Sequence, residues 1–378
     1  MIKRLTPYLG IVIALLCLNS KISAQEWEND IYPRIGEAPI NGGFAMDNYW
    51  VWGSSVVKGN DGTFHMFVSR WPKSLPFHPG WMLASEIVHA VAEKAEGPYE
   101  FVEVALGARG AKYWDGRSAH NPRVVKYKDT YVMFYMGSTH PFDEISDLSL
   151  DSPQTIVARS NKRIGIATSK SLNGPWQRRD KCILETKPDT FYEFLTSNPA
   201  PWINEDGSVD LIFKSRKYNK NFPFHSSMKI GLAKADHYEG PYSVAVSEPI
   251  FGVDKIGEVE DPFLWKDKNG YHMIAKDQRG QITGKMHSGV LAHSKDAINW
   301  KLDKDPLAYT RNIKWSGGSV IEMGQLERPF VLIQNGVLTH LFFATMDGPG
   351  GFSNSTKSWN MVIPLNNEKT NKNLNIIK

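Results

Sequence analysis

The sequence contains very little cysteine: only Cys17 and Cys182 occur among its 378 residues. Residues 1–24 are expected to be removed as a signal peptide. That cleavage would leave Cys182 as the one cysteine and would allow no disulfide within the chain. A disulfide-stapled scaffold is therefore excluded. Stability must come from a hydrophobic core, and a chain of this length can bury a large one.

Long hydrophobic runs are also missing. The longest, residues 9–18, covers about ten residues, whereas a membrane-spanning helix needs about 20. Two basic residues precede this run and small residues follow it before Gln25, so residues 1–24 are typical of a signal peptide. We expect a secreted or periplasmic protein without a transmembrane segment; a membrane anchor and a lipid on Cys17 are the alternatives.

Strong charge and the common cofactor motifs are absent as well. The net charge is +4 without a run of five basic residues, which gives no reason to expect nucleic acid as a partner. The sequence has no HExxH or paired CxxC pattern, phosphate loop, dinucleotide fingerprint or GxSxG elbow. These absences predict no cofactor and no catalytic metal.

Aromatic residues, in contrast, are abundant, with 12 Trp, 14 Tyr and 18 Phe. Most of them are expected to fill the core. An excess of tryptophan also suits sugar binding, because the C–H faces of pyranose rings stack on flat aromatic rings.

One strand–turn–strand pattern recurs five times along the chain. The copies are 54–57 with 64–68, 121–125 with 131–135, 198–202 with 209–213, 261–265 with 271–274, and 328–332 with 338–343. Gly, Asp or Asn in the connecting turns indicates hairpins. A second strand pair follows most copies, often around a Gly-Pro turn such as Gly174-Pro175. Each unit therefore reads as four antiparallel strands.

The spacing of these units predicts the fold. Pro122, Pro199, Pro262 and Pro329 are 77, 63 and 67 residues apart, and the longest step contains an insertion at 141–160. Five four-stranded units predict an all-β, five-bladed β-propeller. We assign one domain to residues 25–365 and a polar tail to 366–378. A β-sandwich is the alternative, but it would not need the same unit five times.

Polar residues occupy the start of the first strand of each unit, where side chains point into the central channel of a propeller. The residues before each proline are His120, Asn121, Ser197, Asn198, Glu260, Asp261, Glu327 and Arg328. The first unit offers Asp47, Trp50, Trp52 and Ser54 instead. Turn or capping roles could explain any one of them, but a polar set at every entrance favours a binding site.

Glu260 and Glu327 are the strongest catalytic candidates. Asp47 and His120 are further catalytic candidates. Glycosidic cleavage usually needs two carboxyl groups, and a crowded anionic channel can raise the pKa of one of them. Strand alternation places Glu258 and Glu260 on one face and Asp261 on the other. A solvated edge or a structural calcium ion in the channel is the alternative interpretation.

Cations at the ends of the inner strands indicate an anionic ligand. Further candidates for substrate binding are Arg70, Trp71, Arg216, Lys276 and His287, together with Asn121, Asn198, Asp261 and Arg328. Because arginine binds carboxylate or sulfate as a planar fork, a uronate or sulfated oligosaccharide is one expected partner. Salt bridges between blades would explain the same residues.

The Asp-Pro entrances, Asn-Gly hairpins and Gly-Pro-Trp/Tyr turns resemble those of glycoside hydrolase family 43. That resemblance implies a five-bladed propeller of inverting enzymes, with an Asp base in blade one, a second Asp that tunes pKa, and a Glu acid in blade four. Glu260 falls at the acid position, whereas Asn198 and Gly53-Ser54 stand where the aspartates would be. The string from Glu260 to Pro262 is also similar to the mannoside phosphorylases of family 130.

Three functions follow from these residues. The first is a glycosidase with Glu260 as acid and Asp47 or Glu327 as base. The second is a lyase or dehydratase that acts on uronates by elimination, with His120, His287, Lys276, Arg216 and Arg328 in the site. The third is a non-catalytic sugar-binding propeller.

Overall fold

The computed structural model describes residues 30–219 and 225–366. The signal peptide expected at residues 1–24 lies outside the described residues, as does all of the polar tail except Asn366. Within the described residues, no helix is long and apolar enough to cross a membrane. The expected all-β architecture is confirmed: five four-stranded antiparallel sheets form a five-bladed propeller.

The strands follow one another blade by blade. Strand β1 (Phe44–Ala45) comes first and belongs to blade five. Blade one contains β2 (Tyr49–Lys58), β3 (Phe64–Pro72), β4 (Glu86–Ala92) and β5 (Glu100–Leu106). Blade two contains β6 (Ser118–Tyr127), β7 (Thr130–Ser138), β8 (Arg163–Ser169) and β9 (Gln177–Arg178). Blade three contains β10 (Leu195–Ile203), β11 (Val209–Arg216), β12 (Lys229–Ala235) and β13 (Ser243–Val244).

Blade four contains β14 (Val259–Asp267), β15 (Gly270–Asp277), β16 (Ser288–Ser294) and β17 (Trp300–Tyr309). A small hairpin of β18 (Asn312–Lys314) and β19 (Val320–Glu322) leads to β20 (Gln325–Gln334), β21 (Val337–Met346) and β22 (Ser358–Pro364) of blade five. The outermost strand of blade five is β1, which pairs with β22 so that Phe44 lies opposite Asn360. The two ends of the domain therefore close the ring together.

The hydrophobic core lies between neighbouring blades. Phe67 of blade one shares a buried cluster with Met133 and Tyr135 of blade two, and Ile212 of blade three shares one with Leu264 of blade four. Because each blade is covered on both faces, its middle strands carry buried apolar runs such as Val132–Met136 in β7 and Leu211–Phe213 in β11. The channel between the blades is left to the polar ends of the innermost strands.

Insertions between the second and third strands project from the end of the channel where the innermost strands begin. Helix α1 (Phe77–Ala84) belongs to blade one and helix α2 (Pro153–Ser160) to blade two, and the two helices are in contact. Ser152 caps α2 by accepting a hydrogen bond from the backbone N–H of Thr155 at 3.1 Å. A 3₁₀ turn, Gly351–Ser353, occupies the same connection in blade five. These insertions build one wall of the site.

Candidate active site

A cavity of about 300 Å³ lies at this end of the channel. Its walls differ in chemistry. Aromatic side chains of blade one and of the insertions form one side: Trp52, Trp71, Phe77, His78, Trp81 and Phe352. Polar and charged side chains form the rest: His120, Asn121, Asn198, Lys214, Glu260, Asp261, Lys276, Gln278, His287, Gln325, Glu327 and Arg328. The cavity therefore offers a flat apolar surface opposite a charged one.

The floor of the cavity is built by the same irregularity in all five innermost strands. Each strand has a register shift at its entrance and a residue with left-handed backbone conformation. These residues and their φ angles are Gly53 (32°), Asn121 (55°), Asn198 (49°), Asp261 (57°) and Arg328 (55°). The repeat thus turns one residue per blade toward the channel axis, with a side chain in blades two to five.

Four of these side chains are linked by hydrogen bonds into an arc. Asn121 Nδ2 donates to Asn198 Oδ1 at 3.2 Å, and Asn198 Nδ2 donates to Asp261 Oδ1 at 2.7 Å. The guanidinium of Arg328 donates to the same Asp261 oxygen at 3.2 Å. Gly53 completes the circle without a side chain, because a Cβ there would lie 2.7 Å from Asn121 Oδ1. This hydrogen-bonded arc holds the backbone of each innermost strand in place, and so it also positions the residue that directly precedes each left-handed residue.

Two of those preceding positions carry carboxylates that share one ammonium group. Lys276 Nζ lies 2.9 Å from Oε2 of Glu260 and 2.5 Å from Oε1 of Glu327. Lys214 Nζ donates to Oε1 of Glu260 at 2.5 Å. Glu327 and Lys276 are buried, whereas the Glu260 side chain remains 16% exposed. Both carboxylates line the cavity; Glu260 is the more exposed of the two, and both of its oxygens are bound to lysines.

The surroundings separate the pKa values of these carboxyl groups. Burial raises the pKa of Glu327 to about 7, and repulsion from Glu260 adds to the rise although Lys276 opposes it. Burial acts in the same direction on Glu260, but Lys214 and Lys276 outweigh it and hold the pKa of Glu260 well below its usual range. A protonated and an ionised carboxyl group can therefore coexist near neutral pH.

His120 links the charged side of the cavity to the aromatic side. Its Nδ1 is hydrogen-bonded to Ser85 Oγ at 2.7 Å, and its ring is stacked on Trp81 with centroids 5.3 Å apart. Burial, and then repulsion from Arg328 and neighbouring lysines, lowers the pKa of His120 well below its usual value. The imidazole is therefore neutral.

The structure corrects one expectation about blade four. Strand alternation placed Glu258 with Glu260 and turned Asp261 away, but Glu260 and Asp261 both line the cavity. Glu258 instead accepts a hydrogen bond from the backbone N–H of Met228 at 2.7 Å and pairs with Arg279. The bulge after Glu260 and the left-handed Asp261 break the two-residue period.

Three of the sequence candidates lie outside the cavity lining. Asp47 is exposed in the turn before β2. Arg70 pairs with Glu86 at 2.8 Å and stacks on Tyr49. Arg216 lies at the end of β11, two residues beyond Lys214. The other catalytic and substrate-binding candidates, including Trp71, Lys276 and His287, line the cavity, whereas the entrance residues Trp50, Ser54 and Ser197 do not.

The channel does not suit a structural calcium ion. Below the floor, the Arg123 guanidinium lies 5.6 Å from the ring centres of both Phe263 and Phe330, and it donates to the backbone oxygens of Ser54 and Pro329. Calcium requires six to eight oxygen ligands. Among residues 30–219 and 225–366, no group of three or more His, Cys, Asp or Glu is placed to hold a metal.

Sequence reasoning found Trp52 and Trp71 of the aromatic wall but missed the residues that the insertions contribute, and it did not select Lys214 as a site residue. Phe77, Trp81 and Phe352 lie in insertions that differ from blade to blade, so no repeat marks them. Lys214 could have been found, because it stands two residues before Arg216 and one strand face carries alternate residues.

Comparison with known proteins identifies the fold. No family model matches the chain, and no curated protein matches its sequence. A solved structure described as a glycoside hydrolase has 12% identity and a TM-score of 0.64, covering 92% of this chain and 96% of that one.

Two further structures are similar over nearly the whole domain. Zg3597, a family 117 glycoside hydrolase produced by the marine bacterium Zobellia galactanivorans, has 19% identity and a TM-score of 0.59, with 87% of each chain covered. CoXyl43, a family 43 β-xylosidase/α-arabinofuranosidase from a compost metagenome, has 14% identity and a TM-score of 0.54, covering 88% of this chain and 95% of that one. The propeller expected from the family 43 resemblance is confirmed at the level of the fold.

Proposed function

We propose that this protein is a glycoside hydrolase that removes a terminal sugar, with Glu327 as the acid/base and Glu260 as the nucleophile. The observation that carries the proposal is the pair of carboxyl groups bridged by Lys276, with pKa values displaced in opposite directions. This order differs from the sequence-based expectation, in which Glu260 was the acid.

The spacing of the pair favours a two-step reaction. The two oxygens bound to Lys276 are at most 5.4 Å apart, the sum of the 2.9 and 2.5 Å contacts. Carboxyl groups about 5–5.5 Å apart are typical of retaining glycosidases, whereas inverting enzymes leave about 6.5–9.5 Å for a water molecule. This supports retention rather than the inversion that the family resemblance implies.

In the first step, Glu327 donates its proton to the glycosidic oxygen while Glu260 attacks the anomeric carbon, so that the leaving group departs and a glycosyl ester forms. In the second, Glu327 takes a proton from water, which attacks the same carbon and releases Glu260. Lys214 and Lys276 keep Glu260 ionised between turnovers. No cofactor is needed.

The shape of the cavity supports action on a chain end. Its volume of about 300 Å³ is at the small end of ligand pockets, and the arc of Asn121, Asn198, Asp261 and Arg328 closes it below. Trp81 and Trp52 provide flat surfaces for a sugar ring.

Elimination next to a uronate is the second candidate, because His120 is neutral, buried and surrounded by cations. Within the described residues, its ring makes one hydrogen bond, between Nδ1 and Ser85 Oγ, so Nε2 is available to accept a proton.

The test is a panel of oligosaccharides and aryl glycosides assayed for release of reducing sugar. We expect wild type to be active, Glu260→Gln to lose at least about 10³-fold in kcat, and Glu205→Gln, an exposed control, to remain active. Activity that survives Glu260→Gln, or unsaturated products that depend on His120, would reject the proposal.

A further inference from the structure

Three basic side chains cluster beside the cavity, and carboxylates act on them through longer-range attraction: Asp151 and Glu260 on Arg159, and Glu260 and Glu258 on Arg216. Arg159 lies in the last turn of α2, Lys162 follows that helix, and Arg216 ends β11. Within residues 30–219 and 225–366, none of the three forms a salt bridge; Arg159 contacts His225, Arg216 contacts His225 and a backbone oxygen, and Lys162 lies over a tryptophan ring. The stretch 220–224 contains no Asp or Glu.

His225 cannot neutralise the two arginines. Its Nε2 lies 2.8 Å from Arg159, while its Nδ1 lies 3.2 Å from Arg216 and 3.3 Å from the backbone oxygen of Ser226. Burial and the two guanidinium groups lower the pKa of His225 to about 4, so the ring is neutral and accepts only one hydrogen bond. If Nε2 accepts from Arg159, Nδ1 donates to Ser226, and Arg216 gains no acceptor from the ring.

These cations lie beside the cavity, within electrostatic reach of Glu260. The Lys162 ammonium lies 4.8 Å from the ring centre of Trp81, which lines the cavity, and its side chain is buried. Arg216 stands two residues beyond Lys214, so both occupy one face of β11. Helix α2, which ends near Arg159, packs on α1, which carries Trp81. Repulsion from Arg159 and Lys162 also reaches His78 in the aromatic wall.

Grouped cations are costly to desolvate unless an anion joins them. Glu260, whose charge acts on all three cations, is already held by Lys214 and Lys276. We infer that Arg159, Lys162 and Arg216 form a subsite for an anionic substituent, a carboxylate or sulfate ester, on the sugar that enters the cavity. This inference rests on the proposed function, because it assigns the substrate class of the same site.

Calorimetric titration tests the subsite without requiring turnover. The probes are methyl glycosides of uronic acids, 6-sulfated hexoses and the matching neutral hexoses. We expect a charged probe to bind wild type at least about tenfold more tightly than its neutral counterpart. Arg159→Gln and Arg216→Gln should each weaken binding of the charged probe about tenfold, because each substitution removes about one hydrogen bond to a charged group. Arg179→Gln, which removes an exposed arginine elsewhere in blade two, should change nothing.

Each outcome decides the matter. Preference for uronates assigns the subsite to a carboxylate, and preference for sulfated sugars assigns it to sulfate. No charged probe binding more tightly than its neutral counterpart would overturn the inference, as would folded Arg159→Gln and Arg216→Gln proteins that bind like wild type. If charged probes bind more tightly but no glycoside is hydrolysed, the proposed function is contradicted and this inference stands. If glycosides are hydrolysed but charged probes bind no more tightly than neutral ones, this inference is contradicted and the proposed function stands.

Discussion

Glu260 and Glu327 contact the same ammonium group, that of Lys276, from neighbouring blades of the propeller. Glu260 has Lys214 as a second cation, whereas Glu327 contacts no second cation within residues 30–219 and 225–366. Two residues of the same type thus acquire different charge states, which is what acid/base catalysis with two carboxyl groups requires. The predictions below follow from this asymmetry.

Replacing Glu327 should remove acid catalysis selectively. Glu327→Gln cannot donate the proton, so kcat on an unactivated glycoside should fall by about 10²–10⁴-fold. An aryl glycoside with an acidic phenol leaves without a proton and should be cleaved at a much smaller loss. Steady-state kinetics on both substrates checks this, with Glu205→Gln as control. Equal losses on the two substrates would contradict the assignment.

The pH dependence of activity should have a basic limb set by Glu327. The group acts in its protonated form, and burial raises its pKa to about 7, so kcat/KM should be high below that pH and fall as the pH rises above it. Because the pKa of Glu260 is held well below its usual range, no acid limb is expected under mildly acidic conditions. A rate that rises through pH 7 would speak against Glu327 as the acid.

Lys276→Met should destabilise the fold in a pH-dependent way. Loss of the ammonium removes an influence that lowers the pKa of Glu327, so the folded variant retains that proton to higher pH than the unfolded chain. When the folded state binds more protons, stability falls as pH rises. We expect a loss of about 3 kcal/mol at pH 8 and less at pH 5 by urea denaturation. Lys268→Met, at an exposed turn, is the control; equal losses at both pH values would refute this.

Gly53 should resist substitution more than Gly62, which also has a positive φ. Its Cβ would approach Asn121 Oδ1 at 2.7 Å and Arg328 Nε at 3.3 Å, whereas a Cβ at Gly62 meets nothing within 4 Å. Gly62→Ala should therefore cost only the left-handed strain, about 1–2 kcal/mol. Gly53→Ala should cost about 1–3 kcal/mol more by overpacking the floor. Similar melting temperatures for the two variants would show that the floor can relax.

The repeat made the fold predictable, because prolines and turn glycines recur at equivalent places in successive blades. The closure of blade five by β1 could not be predicted from the sequence, because a strand of two residues, Phe44 and Ala45, is too short to show an alternating hydrophobic pattern. The carboxylates Glu260 and Glu327 could be found because they precede Pro262 and Pro329. The catalytic roles of the two carboxylates could not be predicted, because the roles depend on contacts with Lys276 and Lys214, which come from different strands and blades.

Asp47 and Asp261 show two further limits of the sequence. Asp47 was chosen because the resemblance demands a carboxylate in blade one, but chain proximity to β2 does not bring its side chain into the cavity. Asp261 was a substrate-binding candidate, but strand alternation placed it on the face opposite Glu260; the left-handed bulge brings both residues to the cavity. The two-residue alternation of side chains along a regular strand cannot predict such local bulges.

The most direct test of the central claim is proton NMR of the first products formed from a cleavable aryl glycoside or oligosaccharide. If Glu260 is the nucleophile and Glu327 the acid/base, the released sugar will gain one water and first appear with the anomeric configuration of the substrate. An unsaturated product would contradict hydrolysis, and a sugar of inverted configuration would contradict the nucleophilic role of Glu260.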